Sequence, residues 1–172
     1  PSIKDQVVTV NGMAKGFSMT GWRIGYMGGP LWLAKACSKL QGQFTSGANT
    51  MAQKASEVAL NSPLDETYAM RDTFLKRRDL FLELLGKVEG LKLNVPEGAF
   101  YVFPDVSAFF GKSFGEYKIE NDSDVVNYLL EAAHVATVDG ESFGNGDCIR
   151  LSYAASEEKL IEAAKRIKEA LD

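Results

Sequence analysis

Apolar positions recur along this chain with two periods, and the elements they predict alternate. Short apolar runs at Val7 to Val10 and Ile24 to Met27 read as buried strands around a glycine-rich turn. From Leu31 to about Gln43 the spacing is helical. Leu31, Ala34, Cys37 and Ser38 share a face, and Gly42 marks the end. After a loop of small and polar residues over 44–49, a second helix is expected from Thr50 to Leu60, with Met51, Ala55, Val58 and Ala59 as its stripe. Ser62-Pro63-Leu64-Asp65 reads as a third helix start: a capping serine, a proline at the first helical position and an acid at the positive helix end. That helix is expected to reach about Val88 on Met70, Phe74, Phe81, Leu85 and Val88.

The second half mixes both periods. Leu91 to Val95 and Ala99 to Phe103 read as strands around a Pro96-Glu97-Gly98 turn. Phe109 to Asp122 reads as a flexible loop, as apt for a surface excursion as for closure over a ligand. An amphipathic helix is expected from Asp122 to Ala133, with His134 at its end, and then a strand from Val135 to Val138. In Cys148 to Tyr153, Ile149, Leu151 and Tyr153 fall on one face and Arg150 on the other. Ser156 caps a last helix whose stripe is Leu160, Ala164, Ile167 and Leu171.

Composition narrows the function classes. The 172 residues are 45% hydrophobic and 24% charged with a net charge of −4, ordinary for a globular protein and without a basic footprint for nucleic acid. No apolar run is long enough for a membrane helix. Cys37 and Cys148 lack metal-type spacing and read as free buried thiols, which fits a reducing cytoplasm. A single histidine, His134, argues against a histidine metal cluster or a Ser/His/Asp triad. Lys76, Arg77 and Arg78 read as a solvated face because acids flank them. Gly111-Lys112-Ser113 lacks the earlier glycine of a phosphate loop, since Val106 stands there.

One stretch carries most of the chemistry. In Asn11-Gly12-Met13-Ala14-Lys15-Gly16-Phe17-Ser18-Met19-Thr20-Gly21-Trp22-Arg23-Ile24-Gly25-Tyr26, a lysine sits among small and apolar residues and an arginine follows eight positions later. A neutral lysine amine can form a Schiff base with an aldehyde, and a guanidinium can hold a phosphate with a planar fork of donors. Aldehyde plus phosphate describes pyridoxal phosphate. On spacing alone, an ordinary surface lysine in a glycine-rich loop remains the commoner alternative. Arg150 by itself is equally compatible with a strand arginine paired to a local acid.

The stretch resembles the cofactor-lysine signature of class I/II aminotransferases, the aspartate aminotransferase family. Pro96-Glu97-Gly98-Ala99-Phe100-Tyr101 and Ile149-Arg150-Leu151-Ser152-Tyr153 are similar to further segments of that family. The resemblance implies an α/β fold of the pyridoxal-phosphate transferase type (fold type I), here its C-terminal part: the end of the large domain over 1–66 and an α+β small domain over 67–172. It implies Lys15 as the catalytic, cofactor-bearing lysine, Arg23 as a cofactor-phosphate ligand and Arg150 as the ligand of the substrate α-carboxylate. It further implies pyridoxal 5'-phosphate as cofactor, amino-acid and 2-oxo-acid substrates with aspartate foremost, and a cytoplasmic homodimer. Alternatives are a lyase or decarboxylase on the same scaffold or, for this chain alone, a non-catalytic binding or oligomerisation domain. Two departures stand out. Ala14 replaces a common serine that serves the phosphate, and Asp139 replaces a common proline before Gly140, which puts the stiffness of that loop in question.

Overall fold

The computed structural model describes residues 3–172. They fall into two compact units that divide after Ala69.

In the first unit, β1 (Thr9–Gly12) and β2 (Gly25–Gly28) pair antiparallel with Gly12 opposite Gly25. The backbones run close there: a Cβ on Gly25 would lie 3.0 Å from the Asn11 carbonyl oxygen, which suits a glycine. The expected pair of strands is present, but Val7, Val8 and Val10 are exposed rather than buried. Two helices follow, α1 (Leu31–Phe44) and α2 (Thr50–Asn61). Asn49 caps α2 by accepting from the Met51 and Ala52 backbone N–H groups at 2.9 and 3.2 Å. The buried face of α2 is centred on Ala52 and Ser56, not on the expected Met51 and Val58, which are exposed. Ser62 does not start the next helix. Its hydroxyl donates back to the Val58 carbonyl at 2.7 Å, finishing α2 instead. The division between the units falls within α3 (Asp65–Leu85).

The second unit holds the well-packed core. β7 (Ile149–Ser152) lies between β3 (Tyr101–Val102) and β6 (Val138–Asp139), antiparallel to both. α4 (Asp122–Glu131) and α5 (Glu157–Leu171) supply Val125, Leu129, Leu160, Ala164, Ile167 and Leu171 to one cluster with Phe81, Leu85, Ile149 and Leu151. Ser156 caps α5 through the Lys159 N–H, as its sequence predicts. Ile149, Leu151 and Tyr153 are buried, and Arg150 stands on the other face of β7.

Three expectations fail here for identifiable reasons. Leu91 to Val95 and Ala99 to Phe103 do not form a hairpin; Lys92 bridges to Asp105, beyond the second segment. The stretch from Phe109 to Asp122 is no loose loop. It folds into the small hairpin β4 (Ser113–Phe114) and β5 (Tyr117–Lys118), and Phe109 and Ile119 are buried on either side of it. Arg77 and Arg78 are not a solvated face either: Arg78 donates to the Pro96 carbonyl at 3.1 Å, and Arg77 lies 5.5 Å from the Phe74 ring centre.

The packing of α5 makes a quantitative prediction. Ile167 is buried within the cluster, so Ile167→Ala should lower stability by about 2–5 kcal/mol, as large-to-small core changes do. A urea titration measures it, with the exposed Ile161→Ala as the reference expected to change little.

Candidate active site

Lys15 and Arg23 occupy one loop, Met13 to Ile24, closed at its base by the β1–β2 ladder and by the Met13 N–H donating to the Ile24 carbonyl at 3.3 Å. Met13 and Met19 are buried beneath this loop while Lys15 and Arg23 are exposed on it. Two methionines fixing the underside and two cations on the outer side is the arrangement of a presented site, not of a folded-in core. A turn brings the Ser18 N–H back to the Lys15 carbonyl at 3.2 Å. The Thr67 hydroxyl, at the start of α3, donates to the Gly16 carbonyl at 3.3 Å and holds the residue next to Lys15 from a distance of 51 positions. Nothing in the local sequence pattern pointed to Thr67.

Arg23 is placed by an unusual backbone. Its φ of 51° and ψ of 49° are left-handed, a conformation that costs a non-glycine residue energy. Ser18 is left-handed too, at φ 53°. The glycines at 16 and 21, which the sequence suggests as the turning points, carry no such angle. With this backbone the Arg23 guanidinium folds onto its own loop and donates to the Thr20 carbonyl at 2.8 Å. No ion pair to Arg23 forms among the described residues, so a fork of donors remains for an anion. A lysine amine and an anion-ready guanidinium carried by one clamped loop suit an aldehyde phosphate.

Arg150 lies in the second unit, and its surroundings differ. Its guanidinium carbon sits 4.4 Å from the Tyr101 ring centre and 4.1 Å from that of Phe143. Within its unit no carboxylate pairs with it, so the local-acid alternative is not what the structure holds. Two aromatic faces fix the cation's position through their negative quadrupoles and leave its N–H donors unspent. Of the neighbouring aromatics, Tyr101 stacks on Arg150, while Phe100 packs 6.1 Å from Phe74 and joins the core. Phe143 had no signal in the sequence beyond its place in a Gly-x-x-Phe-Gly run.

Phe143 belongs to a single 3₁₀ turn, Glu141–Phe143. This is the loop whose stiffness the Asp139 departure left in question, and the structure gives the answer. Asp139 accepts from the Ser142 backbone N–H at 2.9 Å and from the Ser142 hydroxyl. A side-chain lock thus does locally what a proline's fixed φ would do. The Ser142 hydroxyl bond, followed by the Ser142 backbone bond, holds the Asp139 carboxyl below the usual carboxylate value. Gly140 precedes the turn, and a Cβ there would meet the Cys148 and Asn145 carbonyl oxygens at 2.2 and 2.3 Å, so only glycine fits. Both cysteines are free; Cys148 is buried, as expected, but Cys37 is exposed. Burial raises the Cys148 thiol pKa.

The comparison with known families can now be set beside this geometry. Residues 2–167 match the family model for aminotransferase class I and II. The chain belongs to the class I and II aminotransferases. Family members are pyridoxal-phosphate enzymes, and the loop of Lys15 and Arg23 and the stacked Arg150 fall within the matched span. The chain is 44% identical to the bifunctional aspartate aminotransferase and glutamate/aspartate-prephenate aminotransferase of Petunia hybrida, over 99% of its own length and 36% of that protein's. The crystal structure of the aspartate aminotransferase from Rhizobium meliloti superposes with a TM-score of 0.96 at 46% identity, covering all of this chain and 43% of that one. The aspartate aminotransferase from Thermus thermophilus with maleate gives a TM-score of 0.85 at 39% identity, over 98% of this chain and 42% of that one. The fold is therefore part of the aspartate aminotransferase fold, and the chain spans about two-fifths of the aminotransferases it matches.

The Asp139 lock makes a pH prediction. A carboxyl with a depressed folded-state pKa contributes stability that is complete above its ordinary value of 3.8 and is lost as pH falls through the lower folded value. Asp139→Asn should therefore flatten the fall of stability below about pH 4, with little change in slope near neutrality. Denaturant midpoints measured from pH 7 down to pH 3 test this.

Proposed function

We propose that the protein carrying this chain is an aminotransferase that moves an amino group between an amino acid, aspartate foremost, and a 2-oxo acid. The observation that carries the reading is the clamped loop that presents Lys15 and Arg23 together, in a chain of the class I and II family. The names of its relatives, aspartate and prephenate aminotransferases, support the substrate class. We read the first unit as the end of the large cofactor-binding domain, with the boundary near 66, and the second as the small domain. On the same reading the enzyme is a cytoplasmic homodimer.

In this reading Lys15 holds pyridoxal phosphate at its aldehyde carbon and Arg23 holds its phosphate. When bound, the cofactor supplies an electron sink that makes the Cα–H of an amino acid acidic. Displaced from the aldehyde carbon by the substrate amine, Lys15 Nζ would be free to take the Cα proton and return it, the role of a positioned general base and acid. Arg150 grips the α-carboxylate with two parallel N–H bonds, which fixes orientation as well as affinity. The two cations therefore divide the work: Arg23 anchors the cofactor, and Arg150 anchors the substrate.

Lys15→Ala in the full-length protein should abolish the cofactor's visible absorbance band and lower transamination of aspartate with 2-oxoglutarate by about 10³-fold or more. Arg150→Lys should leave the band and raise KM for aspartate more than it lowers kcat, because a lysine cannot supply the planar fork. Intact transamination in Lys15→Ala would overturn the reading. Product analysis that finds loss of carbon dioxide or elimination in place of amino transfer would assign the scaffold to a decarboxylase or lyase instead.

A further inference from the structure

Arg150 owes half of its aromatic clamp to the turn that carries Phe143. Phe143 is 49% exposed, so burial of its ring does not fix the turn. Its own hydrogen bonds are local ones, from the Phe143 N–H to the Gly140 carbonyl at 2.8 Å and from the Gly144 N–H to the Glu141 carbonyl at 2.9 Å. These shape the turn. Its start is joined to β7 by the pairing of Asp139 with Ile149, and past that pairing Asp122 pins it to α4. This carboxylate is 4% exposed, and its Oδ2 accepts from both the Gly140 and the Glu141 backbone N–H groups at 2.8 Å. Its Oδ1 accepts from the Ser123 N–H at 2.9 Å. No cation pairs with it among the described residues; three backbone donors carry the compensation a buried charge requires.

Asp122 opens α4, and Val125 and Leu129 of that helix are buried in the core. The carboxylate therefore transfers the position of the core to the turn, and the turn transfers it to Phe143 and to the Arg150 guanidinium. Gly140, which admits no side chain, sits tight against the Cys148 and Asn145 carbonyls, and its N–H and that of Glu141 both reach Asp122.

We infer that Asp122 is a positioning residue for Arg150: it pins the Gly140–Phe143 turn so that the guanidinium meets a substrate carboxylate in one orientation. The inference rests on the carboxylate-binding role of Arg150 given above. It predicts that loosening the pin weakens carboxylate binding while cofactor binding at Lys15 is unchanged. Asparagine at 122 keeps the volume but can offer oxygen to only one of the two sets of donors, turning its NH₂ toward the other.

The test uses the full-length holoenzyme and maleate, an unreactive dicarboxylate, with its dissociation constant measured by calorimetry. Asp122→Asn and Asp122→Ala should each raise it about tenfold, since a small misplacement of a binding group is costly. The cofactor absorbance band should not change, and KM for aspartate should rise more than kcat falls. Phe143→Leu should produce the same weakening, and the Asp122→Asn/Phe143→Leu double variant should be no worse than the singles, because both act through one clamp. Arg150→Ala separates the two claims. If Arg150→Ala or the parent shows no maleate dependence on this arginine, the carboxylate reading falls and the positioning role falls with it. If Arg150→Ala weakens binding but folded Asp122→Asn stays within about twofold of the parent, only the positioning role is overturned. Failure of both Asp122 variants to fold also overturns it and makes Asp122 a folding residue.

Discussion

The stacking of Arg150 between Tyr101 and Phe143 is the interaction around which the second unit's chemistry is arranged. A guanidinium close to a protein core needs compensation, and an acid is the usual source. An acid would also occupy the donors that a substrate needs. Aromatic faces avoid this conflict. They are worth ~0.5–2 kcal/mol depending on desolvation, enough to fix where the cation lies but less than a charge-assisted pair at ~1.5–3 kcal/mol per hydrogen bond. In the proposed role of Arg150, an arriving carboxylate meets a cation that is already placed and still able to bond. The antiparallel register makes the stacking possible: Tyr101 stands opposite Ser152, one residue past Leu151 on the strand that carries Arg150.

The first unit solves a related problem by other means. Its two cations ride on a loop of a dozen residues, and a loop of that length has many conformations to lose. The antiparallel ladder closes its base, two buried methionines hold its underside, and the Thr67 hydroxyl ties it to α3. Each device restrains the backbone and leaves the charged ends outside. In the second unit too, the groups that touch Arg150 directly, Tyr101 and Phe143, carry no charge.

The sequence was informative where periodicity and local chemistry agree. The α5 stripe of Leu160, Ala164, Ile167 and Leu171 is buried as its spacing predicts, and α1, α2 and α4 lie within a residue or two of their expected bounds. It was less informative where a residue's partner is distant. Leu91 to Val95 has strand character but no neighbour that its pattern could name, and Lys92 finds Asp105 instead. Met51 and Val58 look like a stripe, yet the small residues Ala52 and Ser56 are the ones buried. The motif residues Lys15, Arg23 and Arg150 were visible at once. Phe143, Thr67 and Asp122 were not, since each acts across a gap in sequence that no period connects.

The left-handed backbone of Arg23 carries an evolutionary consequence. Glycine would adopt those angles without strain, and arginine pays ~1–2 kcal/mol to do so. Selection for a sturdier fold alone would therefore favour replacing this arginine, and a thermostability screen of the chain should enrich glycine or asparagine at position 23. If the side chain's charge serves the cofactor, the same screen would discard the enzyme's anchor while improving its scaffold, so a position where durability and chemistry pull apart is written into the geometry of a single residue.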